Sequence, residues 1–195
     1  MRTAERGYQL IELLIALAIS SLVLAWGIPP LLSLAAGLRV ELAAAEVAST
    51  FHAARFHAIR YDANVGLKFH VAADGTVTWA LYRDGDGDGV LSADIASGDD
   101  PPVTREVRLA HLGRQIRFGF PPGRAPRDPG DPRRRLDRLE DPVRFNRSDI
   151  ASFSPIGTAT PGTVYVTDGL RHLSAARVLG RTGKIACLAY DVERE

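Results

Sequence analysis

The spacing of hydrophobic and polar residues changes twice along the chain. After Glu12 no charged side chain occurs until Arg39, a run of roughly 26 residues, and a helix needs only ~20 to cross the hydrocarbon core of a membrane. From residue 31 to about residue 62 the pattern remains helical but becomes amphipathic. Beyond Asn64 the period falls from 3.6 to 2, which is typical of strands. The pattern predicts a long N-terminal helix followed by a β-rich head.

The amphipathic part of this helix is predicted to pack on the head through one apolar stripe. The stripe residues recur at three- and four-residue steps: Leu34, Leu38, Leu42, Ala45 and Ala48. A helix of this length is too long for one small domain, so we expect its first half to lie in lipid and its second half to cover the head. Pro29 and Pro30 interrupt the apolar run, and we expect a kink or a melted turn there.

The head is predicted to be antiparallel. Residues 65–71 and 77–81 alternate in polarity around turn residues 73–75, which indicates a β-hairpin. Further strands are predicted at 103–109, 115–120, 150–153, 162–167, 175–179 and 184–190. The proline- and arginine-rich stretch 121–147 is interpreted as a long exposed loop. The predicted fold class is therefore α+β, a long N-terminal helix packed on an antiparallel sheet or sandwich.

Charges near the start of the chain predict how it is placed in the membrane. Arg2 and Arg6 precede the apolar run and the bulk of the chain follows it, so the N-terminus is predicted to be cytoplasmic and the head to lie across the bilayer. A lone carboxylate inside such a segment costs about 2.5 to 3.5 kcal/mol when it is central. Glu12 is therefore expected to have a partner, unless it lies close enough to the surface to reach headgroup water.

An ordinary secretory signal peptide is the alternative targeting hypothesis. Arg2 and Arg6 would form its basic region, and cleavage would fall near Ala35 and Ala36. The apolar core of such a signal is only ~7 to 15 residues long, whereas this run is longer and contains Glu12.

Composition excludes several classes of function. The formal net charge of +1 argues against a wholesale polyanion binder, and Cys187, the single cysteine, leaves no internal disulfide to form. The sequence contains no Gly-x-Ser-x-Gly elbow, P-loop, His-Glu-x-x-His or paired-cysteine metal motif. We expect the chain not to be an enzyme.

One loop has the spacing of a calcium site. Asp84, Asp86 and Asp88 alternate with glycines, and Asp94 follows six residues later. Ca²⁺ takes six to eight oxygen ligands, which alternate carboxylates on a curved loop can supply. The loop departs from an EF-hand because its twelfth position is Ile95. Two interpretations stay open, a Ca²⁺ site completed by Asp99, Asp100 or backbone carbonyls, and a solvated acidic turn.

The start of the chain resembles the class III signal of type IV pilins and type II secretion pseudopilins. The resemblance rests on Arg6-Gly7, then Tyr8, then the apolar string around Glu12. It implies cleavage between Gly7 and Tyr8 by a prepilin peptidase, methylation of the new amine on Tyr8, and pairing of Glu12 with that amine on a neighbouring subunit. Pro29 stands where helices of that family have a proline, whereas Tyr8 replaces the more usual Phe.

Later segments resemble the GspH/FimT group of minor pseudopilins. The matching stretches are 153–157, 162–166 and 180–184. The resemblance implies a leader at 1–7, a transmembrane and assembly helix at 8–64, and a periplasmic head at 65–195. It also implies a structural subunit of the inner membrane that joins other pilins in a filament, at the tip or in initiation.

The sequence allows two other functions. Some members of the group bind DNA through basic C-terminal residues, and Arg181 and Lys184 occupy that segment here, although the tail ends with the acidic residues Asp191, Glu193 and Glu195. Such a subunit would be a binding module for DNA or a surface ligand. The third hypothesis is a secreted, calcium-dependent head released by ordinary signal cleavage.

Overall fold

The structure is a computed structural model. It describes residues 3–72, 76–109, 115–123, 125–128 and 131–190, with backbone alone for 3–9 and 131–132. Helix α1 spans Thr3–Tyr61, and the chain divides into two compact units, Met1–Ala36 and Gly37–Glu195.

The N-terminal unit contains the apolar half of α1. The helix continues through Pro29 and Pro30 without a break, so the prediction of a melted turn is wrong. Each proline removes one backbone N–H and therefore one helical hydrogen bond. The hydrogen bonds of the turns on either side are kept, and they maintain the helical conformation across the prolines.

The second unit contains two antiparallel sheets and a small hairpin. Its elements are β1 (Val65–Val71), β2 (Val77–Arg83), α2 (Ser92–Ser97), β3 (Val107–Arg108), β4 (Arg117–Phe118), β5 (Arg127–Asp128), β6 (Asp131–Arg135), β7 (Val143–Arg144), β8 (Ile150–Phe153), β9 (Gly162–Thr167), β10 (Leu173–Leu179) and β11 (Lys184–Tyr190). The first sheet has the order β3-β2-β1-β8, and the second β11-β10-β9-β4. Strand β7 pairs with β9 beside β4, and β5 pairs with β6. The predicted α+β class is confirmed.

Most strands lie where the alternation predicted them. The hairpin pairs Val65 with Arg83 and Val71 with Val77, and its turn residues 73–75 lie outside the described residues. Strands β8, β9 and β11 have the predicted bounds, and β10 begins two residues earlier than predicted. The predictions at 103–109 and 115–120 shrink to the two-residue strands β3 and β4.

A cluster of aromatic rings joins the helix to both sheets. The Phe51 ring, fully buried, lies 6.3 Å from Phe69 in β1, 5.6 Å from Phe145 after β7 and 6.1 Å from Phe153 in β8, measured between centroids. The same core contains Trp79 of β2 and Val164 of β9. The second half of α1 therefore packs against both sheets.

The predicted stripe on α1 is wrong for its leucines. Leu34, Leu38 and Leu42 are each more than half exposed, and of the five predicted residues only Ala48 is buried. The head covers a different face, which consists of Val40, Ala43, Ala44, Val47, Ala48, Phe51, Ala54 and Ala58. The amphipathic pattern does not distinguish this face from the predicted stripe, because both are apolar. The sheets pack on the face with alanine and valine because small side chains allow a close approach to the helix backbone.

Residues 121–147 do not form the predicted exposed loop. They contain β5, β6 and β7, and Leu136 packs with Tyr165, Leu173 and Tyr190 in a second small core. We call residues 121–147 the insertion. The Arg177 guanidinium is 3.2 Å from the Asp128 carboxylate, and this ion pair connects the insertion to β10. Proline and arginine suggested a solvated segment, but arginine stems and rings can cover an apolar sheet face.

Candidate functional site

The apolar half of α1 is exposed on all sides. None of the residues in its most apolar stretch is buried. By length and composition this helix could cross a membrane, although a signal sequence has the same properties. Leu13, Leu17 and Trp26 are 70%, 70% and 80% exposed. A helix that is apolar all round and packs on no protein is suited to lipid or to other helices.

The predicted assembly residues lie on this helix. Glu12 is exposed and is the last charged residue before Arg39, and Pro29 lies inside the helix. Gly7 and Tyr8 are helical in backbone, but their side chains lie outside the described residues. The structure contains one copy of the chain, so the pairing of Glu12 with a neighbouring amine stays a prediction.

The loop after β2 brings three of the predicted carboxylates together. One oxygen from each of Asp84, Asp86 and Asp88 lies within 4.8 Å of the others. A Ca²⁺ ion at ~2.3 to 2.6 Å from each oxygen could contact all three. Gly87 and Gly89 have φ of +92° and +106°, a conformation that other residues rarely adopt, and they let the loop curl round its first aspartate.

Asp84 is the buried anchor of the loop. Its oxygens accept hydrogen bonds from the amides of Gly87 at 2.7 Å and Gly89 at 3.0 Å, and from the Asn64 side chain at 2.8 Å. Burial raises the pKa of Asp84, but these hydrogen bonds outweigh burial and lower it below its ordinary value. The Asp84 carboxylate therefore organises the backbone of the loop through the amides of Gly87 and Gly89.

Asp88 and Asp94 have raised pKa values. Burial and then the Asp86 carboxylate raise the pKa of Asp88 and of Asp94. Among the described residues, one Asp94 oxygen is buried without a hydrogen-bond partner. Crowded carboxylates of this kind are stabilised by a cation.

Asp100 has a structural role that sequence reasoning did not identify. It is 1% exposed, and its oxygens accept the amides of Gly85 at 3.1 Å and Leu91 at 3.0 Å. It therefore closes the loop, and Asp94, which has a buried oxygen without a hydrogen-bond partner among the described residues, is the candidate for a fourth ligand. Helix α2, which contains Asp94, was also not predicted, because its six residues are too few to show a helical period.

Comparison with known proteins finds similarity to a solved structure. No protein-family model matches the sequence, and no curated protein matches it. The chain is similar to a minor pseudopilin. That protein is EpsH from the type 2 secretion system of Vibrio cholerae, with a TM-score of 0.44 and 12% identity over 77% of this chain and 97% of EpsH.

The two predicted DNA-binding residues lie at the β10–β11 turn. Arg181 and Lys184 are both exposed there, and Arg55 of α1 donates to the Gly183 carbonyl oxygen at 3.3 Å. This brings a third cation to the turn, which the sequence did not suggest. Binding of DNA at this turn stays a prediction.

The β9–β10 turn contains a buried acid that the sequence also did not single out. Asp168 accepts hydrogen bonds from the amides of Leu170, Arg171 and His172 at 2.8 to 3.0 Å, and its other oxygen is 2.6 Å from His172 Nδ1. Burial raises the pKa of Asp168, but the hydrogen bonds from His172 and the three amides outweigh it and lower the pKa below 3.8.

This turn predicts a pH dependence of stability. The pKa of Asp168 is lower in the folded state than in the unfolded chain, where it is about 4. Ionised Asp168 therefore stabilises the fold above about pH 4, and this stabilisation is lost as the pH falls through the folded-state pKa. Asp168→Asn should therefore flatten the decline of unfolding free energy on acidification, measured by urea denaturation at several pH values. Asp62→Asn, at an exposed position, is the control, and equal acid slopes for Asp168→Asn and the unchanged protein would contradict the assignment.

Proposed function

We propose that this chain is a structural subunit of a pilin-like filament, a minor pilin or pseudopilin anchored in the inner membrane by the first half of α1. Its N-terminus faces the cytoplasm and its β-rich head the periplasm. It takes part in a type II secretion pseudopilus or a type IV pilus, at the tip or in initiation, together with other pilins. Its role is assembly rather than catalysis.

One observation supports this proposal most strongly. Glu12 stands four residues after Tyr8 near the start of an exposed apolar stretch of α1, and it is the single charged residue between Arg6 and Arg39. Burying this helix among lipids or other helices leaves Glu12 without solvation, and the free amine that cleavage creates on Tyr8 of a neighbour is a cation at the right end of the helix. The two charges are each costly alone in low dielectric and compensate each other when paired.

Processing at Gly7 is the direct test. We expect intact mass spectrometry of the membrane-extracted chain to show an N-terminus at Tyr8 with one added methyl group. Gly7→Val should leave the full leader in place, because the peptidase must accommodate a side chain at the cleaved bond. Gly27→Val is the matched control, since a Cβ there meets nothing within 4 Å, and it should be processed normally. An N-terminus near Gly37 would show ordinary signal cleavage and overturn the proposal.

A second function is favoured by the acidic loop. We propose that Asp84, Asp86, Asp88 and Asp94 bind one Ca²⁺ ion. The convergence of three carboxylates within 4.8 Å and the unpartnered Asp94 oxygen support it. The ion would neutralise the loop and stabilise the connection between β2 and α2.

Calorimetric titration tests this calcium site. The full chain in detergent should show saturable heat with Ca²⁺, and Asp86→Asn/Asp88→Asn should abolish it. Affinity should fall on acidification, because protons compete for Asp88 and Asp94, whose pKa values are raised. Asp137→Asn, an exposed acid on the insertion, should bind like the unchanged protein. Heat equal to dilution alone would identify the loop as a plain acidic turn.

A further inference from the structure

The β9–β10 turn, residues 168–172, lies against the end of the uncharged run of α1. A Cβ on Gly37 would be only 3.1 Å from Cδ2 and 3.3 Å from Nε2 of His172, so the imidazole ring packs directly on the helix backbone. Gly37 and Leu38 are the last two residues of the uncharged run, and the exposed Arg39 follows them. The turn is therefore held beside the point where the apolar run gives way to charge.

The length of the uncharged run indicates where it ends in a membrane. A helix rises about 1.5 Å per residue, so a run of roughly 26 residues is ~39 Å long. The hydrocarbon core of a bilayer is about 30 Å thick, and the bilayer with its headgroups about 40 to 45 Å. A run that begins at one edge of the core therefore ends among the headgroups of the opposite leaflet. Gly37, and with it the turn, is expected at that level.

The turn presents an apolar side chain beside two cations. Leu170, in the middle of the turn, is 62% exposed, and Arg171 next to it is also exposed. The exposed Arg117 of β4 reaches the same turn, since a Cβ on Gly169 would be 2.8 Å from its Nη2. An exposed leucine among guanidinium groups is complementary to an anionic bilayer surface, because acyl chains accept the leucine and headgroup phosphates accept the arginines.

Internal hydrogen bonds fix the conformation of the turn. Asp168 accepts three backbone amides of the turn and lies 2.6 Å from His172 Nδ1. The Thr167 hydroxyl donates to the His172 carbonyl oxygen at 2.7 Å and accepts the Gly169 amide at 3.0 Å. The exposure of Leu170 is therefore built into the fold. Asp168 is itself 5% exposed, so its charge is turned towards these donors and away from the surface.

We propose that the β9–β10 turn docks the head on the surface of the membrane that α1 spans. Leu170 inserts among the lipids of the periplasmic leaflet, and Arg117 and Arg171 bind anionic headgroup phosphates. This rests on the proposed function, because it requires the uncharged run of α1 to cross the bilayer. The contact holds the head against the membrane until the subunit leaves the bilayer for a filament.

Fluorescence quenching by lipids tests the docking. The full-length chain with Cys187→Ser and Leu170→Cys is labelled with a nitrobenzoxadiazole fluorophore and reconstituted in vesicles of phosphatidylcholine and phosphatidylglycerol that contain headgroup-attached nitroxides. The control carries the fluorophore at Ile156→Cys, because Ile156 is 87% exposed. Its neighbour Gly157 lies against Arg55, roughly 27 Å further along α1 than Gly37.

The two labelled positions should differ clearly. We expect at least about fivefold stronger quenching at residue 170 than at residue 156, because the headgroup layer is only ~5 to 8 Å thick. Equal quenching at the two positions, or none at residue 170, would overturn the proposal.

Charge reversal provides the second measurement. Arg117→Glu/Arg171→Glu should lower the quenching at residue 170 at least about threefold, and vesicles of phosphatidylcholine alone should lower it similarly. Arg181→Glu/Lys184→Glu makes the same change of net charge at the β10–β11 turn and should leave the quenching as it was. Equal loss in the two double variants, or loss in neither, would contradict the role of the two arginines.

Extraction with alkaline carbonate separates this proposal from the proposed function. If the chain leaves the vesicles, α1 does not anchor it, and the proposed function fails together with the docking. If the chain stays in the vesicles and the fluorophore at residue 170 is not quenched, the anchor holds and the docking alone is wrong.

Discussion

Replacing Glu12 with alanine is expected to lower the share of this chain in sheared filaments at least about tenfold. The terminal amine of the neighbouring subunit then lies in an apolar helix bundle without a counter-charge, at a cost that exceeds the ~1.4 kcal/mol corresponding to a factor of ten. Quantitative immunoblotting of filament and membrane fractions measures the ratio.

The matched control is Glu140→Ala, which removes an exposed acid from the insertion in the head. Both variants should reach the membrane in the same amount as the unchanged chain, so that the ratio reports assembly alone. Filament shares that are equal for Glu12→Ala and Glu140→Ala would falsify the pairing of Glu12 with a neighbouring amine.

Replacing Phe51 with alanine is expected to lower the free energy of unfolding by about 3 to 5 kcal/mol. Phe51 is fully buried and contacts the rings of Phe69 and Phe153 in the first sheet and of Phe145, just after β7 in the second, so its removal opens a cavity where the two sheets and the helix meet. Urea denaturation of the full chain in detergent, followed by tryptophan fluorescence, measures it.

Phe56→Ala on the same helix provides the comparison. The Phe56 side chain is 61% exposed, so its loss should change the unfolding free energy by less than about 0.5 kcal/mol. Equal destabilisation by the two variants would show that the face of α1 that packs on the head has been assigned incorrectly.

Local pattern was sufficient for the β1–β2 hairpin and for the acidic turn after it. The alternation of residues 65–71 and 77–81 predicted the β1–β2 hairpin, because a strand that contacts the core on one face repeats every two residues. The spacing Asp84-Gly-Asp-Gly-Asp likewise predicted a turn that gathers carboxylates, since glycine permits the positive φ found at Gly87 and Gly89. These features depend on neighbours in sequence.

Contacts between distant segments were not predictable in this way. Asp100 closes the acidic loop by accepting the amides of Gly85 and Leu91, and no residue type marks these donors, because every residue except proline carries a backbone N–H. The prolines and arginines of residues 121–147 suggest a solvated segment, and its packing on Tyr165 and Tyr190 arises only when β9 and β11 pair with the two edges of β10 in one sheet.

Helix α1 separates the two kinds of information. The sequence alone determined that the chain begins with a helix long and apolar enough to span a membrane, with one acid near its start, because length and hydropathy are local properties. Only the tertiary structure decided which side of the second half is buried. That half has two apolar faces about 180° apart, and the one with alanine and valine packs on the sheets because small side chains allow close approach, leaving Leu38, Leu42, Phe56 and Ile59 exposed on the other.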